Sequence, residues 1–348
     1  MQPNHWLRAG VLTLFIVVSF FAGWELWLRH KGYSVTYDDA GPLWADKRGQ
    51  VYDGKDKEVV FIGSSRIKFD LDIPTWEKAT GLGAVQLALQ GTNPVPVLHH
   101  LAEDPSFNGK LVVDVTEILF FSQAPPNLER ADKELAYYKK YTPAQKASFV
   151  IDHGLESQLV FLDQDFFSLT AMMNRLPVPK RPGVFPGLDF PWEFDKCYYS
   201  RQSGMDPRFL ADTNLQNKVR GIWAMLAKMD RTPPPKGSKL DSALLAVKTD
   251  VDKIKARGGE VLFVRTPSSG PFWQGEQMGF PREQYWDRIL AVTGCQGVHF
   301  KDYDAIAHFE CPEFSHLKPT DAVLFTTELV RILREKGFIQ PAAVVASR

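Results

Sequence analysis

The chain lacks an excess of charge of either sign, because 41 lysine and arginine residues balance 41 aspartate and glutamate residues. A neutral composition lacks the basic surplus that draws proteins to nucleic acid or to acidic lipid headgroups. Nucleic acid is therefore not an expected partner, and binding must depend on local groups. The 348 residues suffice for one large domain with an insertion, or for two modest domains.

Cysteine is also scarce, with Cys197, Cys295 and Cys311 as the whole set. The sequence has no Cys-x-x-Cys and no His-x-x-x-His spacing, so it predicts no metal site and implies no cofactor. Cys295 and Cys311 bracket the last predicted strand and its loop. Two interpretations stay open: these two pair in an oxidising compartment, or all three are small buried thiols.

What the amino-terminal region does have is a long apolar run. Residues 9–28 are almost wholly apolar, after a short tail at 1–8. About 20 helical residues at ~1.5 Å each span a hydrocarbon layer of ~30 Å, so the run predicts a single transmembrane anchor. Glu25 is its one acidic residue. Because Trp24 and Trp27 are typical of the membrane interface, we expect Glu25 to reach headgroup water.

A cleaved signal peptide is the alternative for this run. The bulky pair Phe20-Phe21 stands where a cleavage site needs small residues, which favours an uncleaved anchor. Orientation is barely decided by charge, since Arg8 lies on one side and Arg29 and Lys31 on the other.

Short apolar runs bounded by charge or glycine recur later and are typical of buried parallel strands. The predicted strands are Glu58–Ile62, Ala84–Leu89, Lys110–Thr116, Glu260–Arg265 and Val298–Tyr303. The predicted helices between the later strands and after them are Ser242–Ala256, Arg282–Val292 and Thr320–Glu335. The alternation predicts an α/β fold: a flavodoxin-like three-layer sandwich whose central parallel sheet has helices on both faces.

The domain plan follows from where this rhythm starts and stops. A stalk at 29–57 leads into an α/β domain formed by 58–120 and 240–338, and a mainly helical and loop insertion at 121–239 interrupts it. The predicted helices of the insertion are Glu129–Lys140, Pro143–His153 and Gln158–Arg175, followed by a proline-rich segment. A lid, a partner surface and a structural elaboration are its three possible roles.

A serine and a histidine stand at the two ends of the α/β domain. Gly63-Ser64-Ser65 directly follows the first predicted strand, and His316 lies in a loop ahead of the last helix. A serine hydroxyl is a poor nucleophile unless a base takes its proton, and the base needs an acid to fix its tautomer. Glu313, three residues before His316, is the nearest acid. Because ligands bind at the carboxyl ends of parallel strands, these residues are expected to converge there.

These motifs, in this order, resemble the SGNH or GDSL-type hydrolase superfamily. The shared features are Gly-x-Ser after the first strand, a glycine after the second, a polar residue after the third and acid-x-x-His before the last helix. The anchored start, the Gly-Ser-Ser-Arg variant, Arg265-Thr266-Pro267 after the fourth strand and the Ser-His-Leu ending look like proteins that accompany cell-surface polymer acylation. Relatives of this branch take part in alginate O-acetylation and teichoic-acid D-alanylation. The likeness covers 59–116 and 260–336.

The resemblance implies roles for single residues. Ser65 matches the nucleophile, His316 the base, and Glu313 the acid, which is usually aspartate. The oxyanion donors would be the amides of Ser65 and Gly91 and an asparagine after the third strand, where this chain has Thr116.

Asn93 is a substitute donor from the neighbouring loop. Loss of one oxyanion donor typically costs on the order of 10²–10³ in rate. Arg66 and Arg265 are candidate substrate-binding cations.

The implied function is a membrane-tethered serine esterase or O-acyltransferase acting on acyl groups, chiefly acetyl, of a cell-surface polysaccharide. The resemblance implies a bacterial inner-membrane protein whose catalytic domain faces the periplasm or cell exterior, with a membrane-bound O-acyltransferase as partner. The alternative is a catalytically eroded accessory protein that keeps the fold and binds the polymer or the acyltransferase.

Overall fold

The structure is a computed structural model that describes residues 4–52, 58–176, 188–229 and 232–340. Within these ranges the chain forms two compact units. One contains residues 4–38, 143–176 and 188–189, and the other contains 39–52, 58–142, 190–229 and 232–340. The second unit holds the parallel sheet and every residue proposed above for chemistry.

The strands confirm an α/β fold with a central parallel sheet. They are β1 Glu58–Ile62, β2 Gly83–Gln86, β3 Lys110–Asp114, β4 Lys196–Cys197, β5 Ser203–Gly204, β6 Glu260–Arg265 and β7 Gln296–His299. Five of them form one sheet in the order β2-β1-β3-β6-β7, and every neighbouring pair is parallel. This order, 2-1-3-4-5 when only the sheet strands are counted, is common among doubly wound sheets. Strands β4 and β5 form a separate antiparallel pair.

Helices connect and flank these strands. They are α1 Asn4–His30, α2 Gly41–Gln50, α3 Ser65–Asp70, α4 Ile73–Thr80, α5 Val95–Glu103, α6 Glu117–Phe120, α7 Pro125–Lys139, α8 Pro143–Glu156, α9 Gln164–Phe167, α10 Leu169–Asn174, α11 Pro207–Ala211, α12 Thr213–Met229, α13 Ser238–Ala256, α14 Gly270–Gly279, α15 Trp286–Thr293, α16 Asp304–Ala307 and α17 Pro319–Glu335. Short 3₁₀ turns lie at Val160–Leu162 and Phe300–Asp302.

Two cores cover the two faces of the sheet, because alternate strand residues point to opposite sides. Val60 and Ile62 of β1 pack with α5, α13 and α15 on one face. Val59 and Phe61 pack with α4 and α17 on the other, where Trp76 meets Phe61 edge to face. The sheet is thus buried on both faces, as the continuous apolar strands predict.

The topology places several loops at one edge. Strand β1 lies between β2 and β3, so the chain leaves β1 toward one side of the sheet and leaves β3 toward the other. Such a reversal opens a crevice at the carboxyl ends of the strands. The chain continues past β2 alongside β1, with the Leu89 amide donating to the Gly63 carbonyl at 3.1 Å. The loops after β1 and β2 therefore run side by side.

The ends of several elements differ from the sequence prediction. Strands β2, β3 and β7 end earlier than predicted, and β6 matches. The predicted helix at 158–175 is instead a 3₁₀ turn followed by the short helices α9 and α10, which Asp163 and Ser168 cap with side-chain hydrogen bonds. Local side-chain capping thus divided a segment whose composition alone suggested one helix.

The expected stalk at 29–57 is not a separate element, and residues 53–57 lie outside the described ranges. Helix α2 belongs to the α/β unit: Trp44 is fully buried in its core, and its indole nitrogen donates to the Leu87 carbonyl at 3.1 Å. Arg48 is also buried and pairs with Asp104 at 2.6 Å. Trp44 and Arg48, which were assigned to the stalk, therefore bind residues that are distant in sequence.

The expected insertion at 121–239 is likewise divided between the two units. Residues 143–176 belong with α1, whereas 121–142 and 190–229 belong with the sheet. The parts at 177–187 and 230–231, which include most of the proline-rich segment, lie outside the described residues.

In the first unit, α1 is long and apolar enough to cross a membrane, with a mean hydropathy of 2.0 in its most apolar stretch. Glu25, which was expected to reach headgroup water, is buried by the protein itself. It is 8% exposed, pairs with Arg29 at 2.6 Å, and accepts hydrogen bonds from the amides of Val160 and Phe161 at 3.1 and 3.2 Å. Trp24 stacks on Phe161, with 5.6 Å between ring centroids.

Candidate active site

The site begins at the turn that leaves β1. Gly63 is needed here because a Cβ at this position would lie 2.5 Å from the Asp114 Cβ and 2.8 Å from an Ile67 methyl. No side chain fits into that space without displacing its neighbours. The turn is followed at once by α3, whose first residue is Ser65. Close packing of β1 against β3 therefore sets the position of the serine.

The two serines of this turn face different surroundings. Ser64 is buried, and its hydroxyl shares a hydrogen bond with the Thr116 hydroxyl at 2.8 Å. Ser65 is half-buried, and its Oγ lies 2.8 Å from Nε2 of His316. The structure thus brings Ser65, and not Ser64, to the histidine predicted from sequence.

His316 is in turn held by the predicted acid. Its Nδ1 lies 3.0 Å from Oε1 of Glu313. His316 and Glu313 are 1% and 0% exposed. A carboxylate on Nδ1 fixes the tautomer in which Nε2 can accept the serine proton, which is the arrangement of a serine-histidine-acid triad.

Four donors surround the Glu313 carboxylate. Oε1 accepts from the amides of Ser315 at 3.2 Å and His316 at 2.6 Å as well as from the His316 ring, and Oε2 accepts from the indole nitrogen of Trp223 at 2.5 Å. Burial alone raises the pKa of Glu313. The His316 imidazole and these hydrogen bonds outweigh burial, so the pKa of this carboxyl lies below its ordinary value. Glu313 is therefore held as a carboxylate.

Helix α3 makes hydrogen bonds to the histidine loop on both sides of His316. Nε of Arg66 donates to the Ser315 hydroxyl at 3.2 Å, and the Leu317 amide donates to Oδ1 of Asp70 at 2.9 Å. The residues before and after the histidine are thus tied to the helix that begins with Ser65. These contacts fix the distance between nucleophile and base.

Arg66 and Arg265 were expected to present their charges to a substrate, but the structure places both in the interior. Both are buried, at 1% and 0% exposure, and both bind the carboxylate of Glu276. Arg265 also pairs with Glu117 at 3.0 Å. A buried guanidinium needs such partners because an unpaired charge away from water is costly. The two arginines join β6, α3 and α14 beneath the site.

The candidate oxyanion donors are unequal. The Ser65 amide opens α3 and has no partner within the helix, as is general for a first helical residue. Gly91 lies in the exposed loop after β2 with φ of 62°, a left-handed conformation that glycine adopts without strain. The amides of Ser65 and Gly91 stay predictions as oxyanion donors.

The two side-chain candidates are used elsewhere. The Thr116 hydroxyl is buried between Ser64 and Asp114, donating to the Asp114 carboxylate at 3.2 Å. The Asn93 side chain donates to the Ser122 carbonyl and accepts from the Val95 amide, both at 2.8 Å. The structure thus gives both groups the task of fixing loops, and neither supplies the side-chain amide that the resemblance implies.

Aromatic rings enclose the histidine. Phe69 lies 4.5 Å from the His316 ring centroid, Phe194 5.8 Å and Trp223 6.1 Å. Phe190 stacks against Phe194 and contacts Trp223. The rings come from α3, from the segment that follows residue 189, and from α12. They form an apolar wall on one side of the triad.

Cysteines and potential metal ligands lie apart from this arrangement. Cys295 and Cys311 do not pair, because Cys295 contacts the core on the α13 face of the sheet and Cys311 lies in the core on the α17 face. Among the described residues, His99, Glu103 and Asp250 lie close enough to share a cation. Ordinary pairing accounts for that group, since His99 binds Asp250 at 3.0 Å and Glu103 binds Lys253.

Two residues at the site were missed by sequence reasoning. Trp223 binds Glu313, and Arg220 of the same helix donates to the Pro312 carbonyl at 2.5 Å. Both belong to the stretch that the sequence assigned to an insertion. A tryptophan in an amphipathic helix carries no local signal of such a role, because helical spacing indicates only which face is apolar.

Neither the known family models nor the curated proteins contain a match to this chain.

Proposed function

We propose that this protein is a membrane-tethered serine esterase or O-acyltransferase of the SGNH type, acting on acyl groups of a cell-surface polysaccharide. The observation that carries the proposal is the chain of contacts from Ser65 Oγ to His316 Nε2 at 2.8 Å and from His316 Nδ1 to Glu313 at 3.0 Å. A serine activated in this way attacks ester carbonyls.

In the first step, His316 Nε2 takes the Ser65 proton while Oγ bonds to the acyl carbon. The carbonyl becomes an oxyanion, for which the amides of Ser65 and Gly91 are the donors. When the tetrahedral intermediate collapses, the C–O bond to the leaving alcohol breaks and His316 returns the proton to that oxygen. Glu313 stays ionised throughout and stabilises the imidazolium.

The second step reverses the first with a new acceptor. His316 takes a proton from water or from a sugar hydroxyl, whose oxygen attacks the acyl-enzyme and releases Ser65. Water gives hydrolysis and a sugar gives transfer. The aromatic rings lie on one side of His316, and any exclusion of water by them favours transfer over hydrolysis.

The apolar helix α1 supports tethering to a membrane. We place the α/β unit on the periplasmic or outer side of a bacterial inner membrane, where cell-surface polymers are modified. A membrane-bound O-acyltransferase is the proposed source of acyl groups, by analogy with the SGNH branch that the motifs resemble.

A second candidate function follows from the side-chain donors that are used elsewhere. With Thr116 and Asn93 both holding loops, the oxyanion site depends on backbone amides. This favours an accessory protein that keeps the fold and binds polymer or acyltransferase without turnover.

A fluorophosphonate probe on the full chain in detergent separates the two. The enzyme is expected to bind the probe covalently, and Ser65→Ala is expected to abolish labelling and to lower p-nitrophenyl acetate turnover by more than about 10⁴-fold. Ser64→Ala is the matched control, because it removes the adjacent buried hydroxyl and is expected to keep labelling.

Labelling that survives Ser65→Ala rules out Ser65 as the nucleophile. A folded wild-type protein that neither binds the probe nor turns over the ester supports the accessory role.

A further inference from the structure

The helix that supplies Trp223 has a role beyond covering the site. Glu313 is fully buried, and its Oε2 accepts the Trp223 indole proton at 2.5 Å while Oε1 faces His316. The indole and the imidazole therefore hold opposite oxygens of one carboxylate. Rotation of the carboxylate away from His316 would break the indole contact.

A second contact on the same face of α12 points to the same loop. Arg220 lies three residues before Trp223, so both side chains project from one side of the helix. Its guanidinium donates to the Pro312 carbonyl at 3.1 and 2.5 Å and lies 4.5 Å from the Phe314 ring centroid. The helix thus contacts the residue before Glu313, the residue itself and the residue after it.

The loop needs such support because its backbone is strained. Phe314 has φ of 79°, which is uncommon for a residue with a side chain. Strained conformations persist only where the surroundings hold them, and they cluster at functional sites. Glutamate also has one more rotatable bond than the aspartate usual at this position, so its carboxylate needs additional fixing.

We infer that Trp223 is a positioning residue of the triad, whose indole N–H fixes the Glu313 carboxylate against His316 and so supplies the part of the acid's geometry that a shorter aspartate would provide by itself. This inference rests on the proposed function for its effect on rate. The contact itself can be tested without turnover.

The charged and titratable groups around Glu313 bear on the pH readout. His316 faces it within the same loop, Arg220 approaches from α12, and Arg66 and Cys311 lie beneath the loop. Burial has the largest effect on the pKa of Glu313 and raises it. The contacts with His316 lower this pKa, and the Trp223 hydrogen bond lowers it further. Removal of the indole donor therefore raises the pKa of Glu313.

The test compares Trp223→Phe with Trp76→Phe in the full chain. Trp76 is the control, because the indole nitrogen of this fully buried tryptophan has no hydrogen-bond partner among the described residues, whereas Trp223 is half-buried and donates to Glu313. Trp223→Phe is expected to lower kcat for p-nitrophenyl acetate about 10–100-fold and to move the acid limb of the pH–rate profile to higher pH. Trp76→Phe is expected to leave the acid limb where it is.

A spectroscopic readout makes the contact testable without activity. With ¹⁵N-histidine labelling, the Nδ1 proton that His316 donates to a carboxylate is expected at low field in the proton NMR spectrum. Trp223→Phe is expected to shift or broaden that signal, and Trp76→Phe is not. If the smaller ring of Trp223→Phe impairs folding, benzothienylalanine at position 223 replaces it as the test variant. This residue keeps the two-ring shape without the N–H donor, and it is expected to shift or broaden the same signal.

The outcomes separate this inference from the proposed function. A shifted low-field signal in a protein that shows no turnover supports the positioning contact and rejects the enzyme. An active enzyme whose acid limb and low-field signal are both unchanged by loss of the indole N–H overturns the role of Trp223.

Discussion

The candidate site has two halves, the proton-transfer residues and the oxyanion donors, and they differ in how completely their side chains are hydrogen-bonded for catalysis. In the proton-transfer half, Ser65, His316 and Glu313 are joined by hydrogen bonds of 2.8 and 3.0 Å, and the acid has further donors from Trp223 and the loop backbone. In the oxyanion half, the side chains of Thr116 and Asn93 are engaged elsewhere, which leaves the amides of Ser65 and Gly91 as the candidate donors. For the proposed esterase, a complete proton path with few oxyanion donors predicts a modest rate, because donors to the oxyanion usually contribute the largest single share of catalysis.

The largest expected effect tests the complete half. Glu313→Gln keeps the shape of the side chain but removes the charge that fixes the tautomer of His316, and we expect kcat for p-nitrophenyl acetate to fall by about 10³–10⁴-fold. Glu310→Gln, an exposed change on the same loop, is the control and is expected to leave kcat within about twofold. If both variants keep the wild-type kcat, Glu313 does not act as the acid that fixes the tautomer of His316.

A smaller effect concerns the stability of the fold and the buried acid Asp70, which binds the histidine loop. Burial raises the pKa of Asp70 well above its ordinary value, and burial also raises that of Asp114. An acid with a raised folded-state pKa stabilises the fold when protonated. Above about pH 4 the unfolded chain releases this proton while the folded protein keeps it, so stability falls as pH rises toward the folded pKa.

Asp70→Asn mimics the protonated form and can still accept the Leu317 amide hydrogen. We expect the variant to lessen this decline by up to about 1.4 kcal/mol per pH unit, measured by urea unfolding of the full chain from pH 4 to pH 8. Asp114 is unchanged and keeps part of the slope. The exposed Asp132→Asn is expected to retain the wild-type slope. The same slope in Asp70→Asn would show that Asp70 is ionised in the folded protein.

The smallest expected effect tests the sparse half. Because the Thr116 hydroxyl binds Ser64 and Asp114, Thr116→Val should change kcat by less than about threefold while lowering the free energy of unfolding by ~0.5–1.5 kcal/mol. Thr327→Val, an exposed threonine on α17, controls for the substitution itself. A loss of about 10²-fold in kcat would instead make Thr116 an oxyanion donor and remove the contrast between the two halves.

Much of this site was predictable, because its signals are local. The strands that carry it are short apolar runs, and β6 begins and ends where predicted. Ser65 follows β1 directly, and Glu313 precedes His316 by three residues, so an acid and its histidine are recognisable within a few letters. Parallel pairing then requires the ends of distant strands to meet at one edge.

The less predictable features depend on contacts between distant residues. Arg66 and Arg265 were candidate substrate-binding cations, yet Glu276 pairs with both in the interior. The segment at 121–239 was assigned to an insertion because the alternation of strands and helices stops there, yet part of it supplies rings around His316. Composition reports whether a segment is regular, but not which surface it packs against.

The sequence by itself determined the parallel sheet, the apolar amino-terminal helix and the identity of Ser65, Glu313 and His316, since periodicity and short spacing encode these directly. The tertiary structure alone decided that the Ser65 and His316 side chains lie within hydrogen-bond distance, that the Thr116 hydroxyl binds Ser64, and that Trp223 binds Glu313. Each of these depends on the direction of side chains between 52 and 251 residues apart, which packing of the two faces of the sheet sets and no local pattern records.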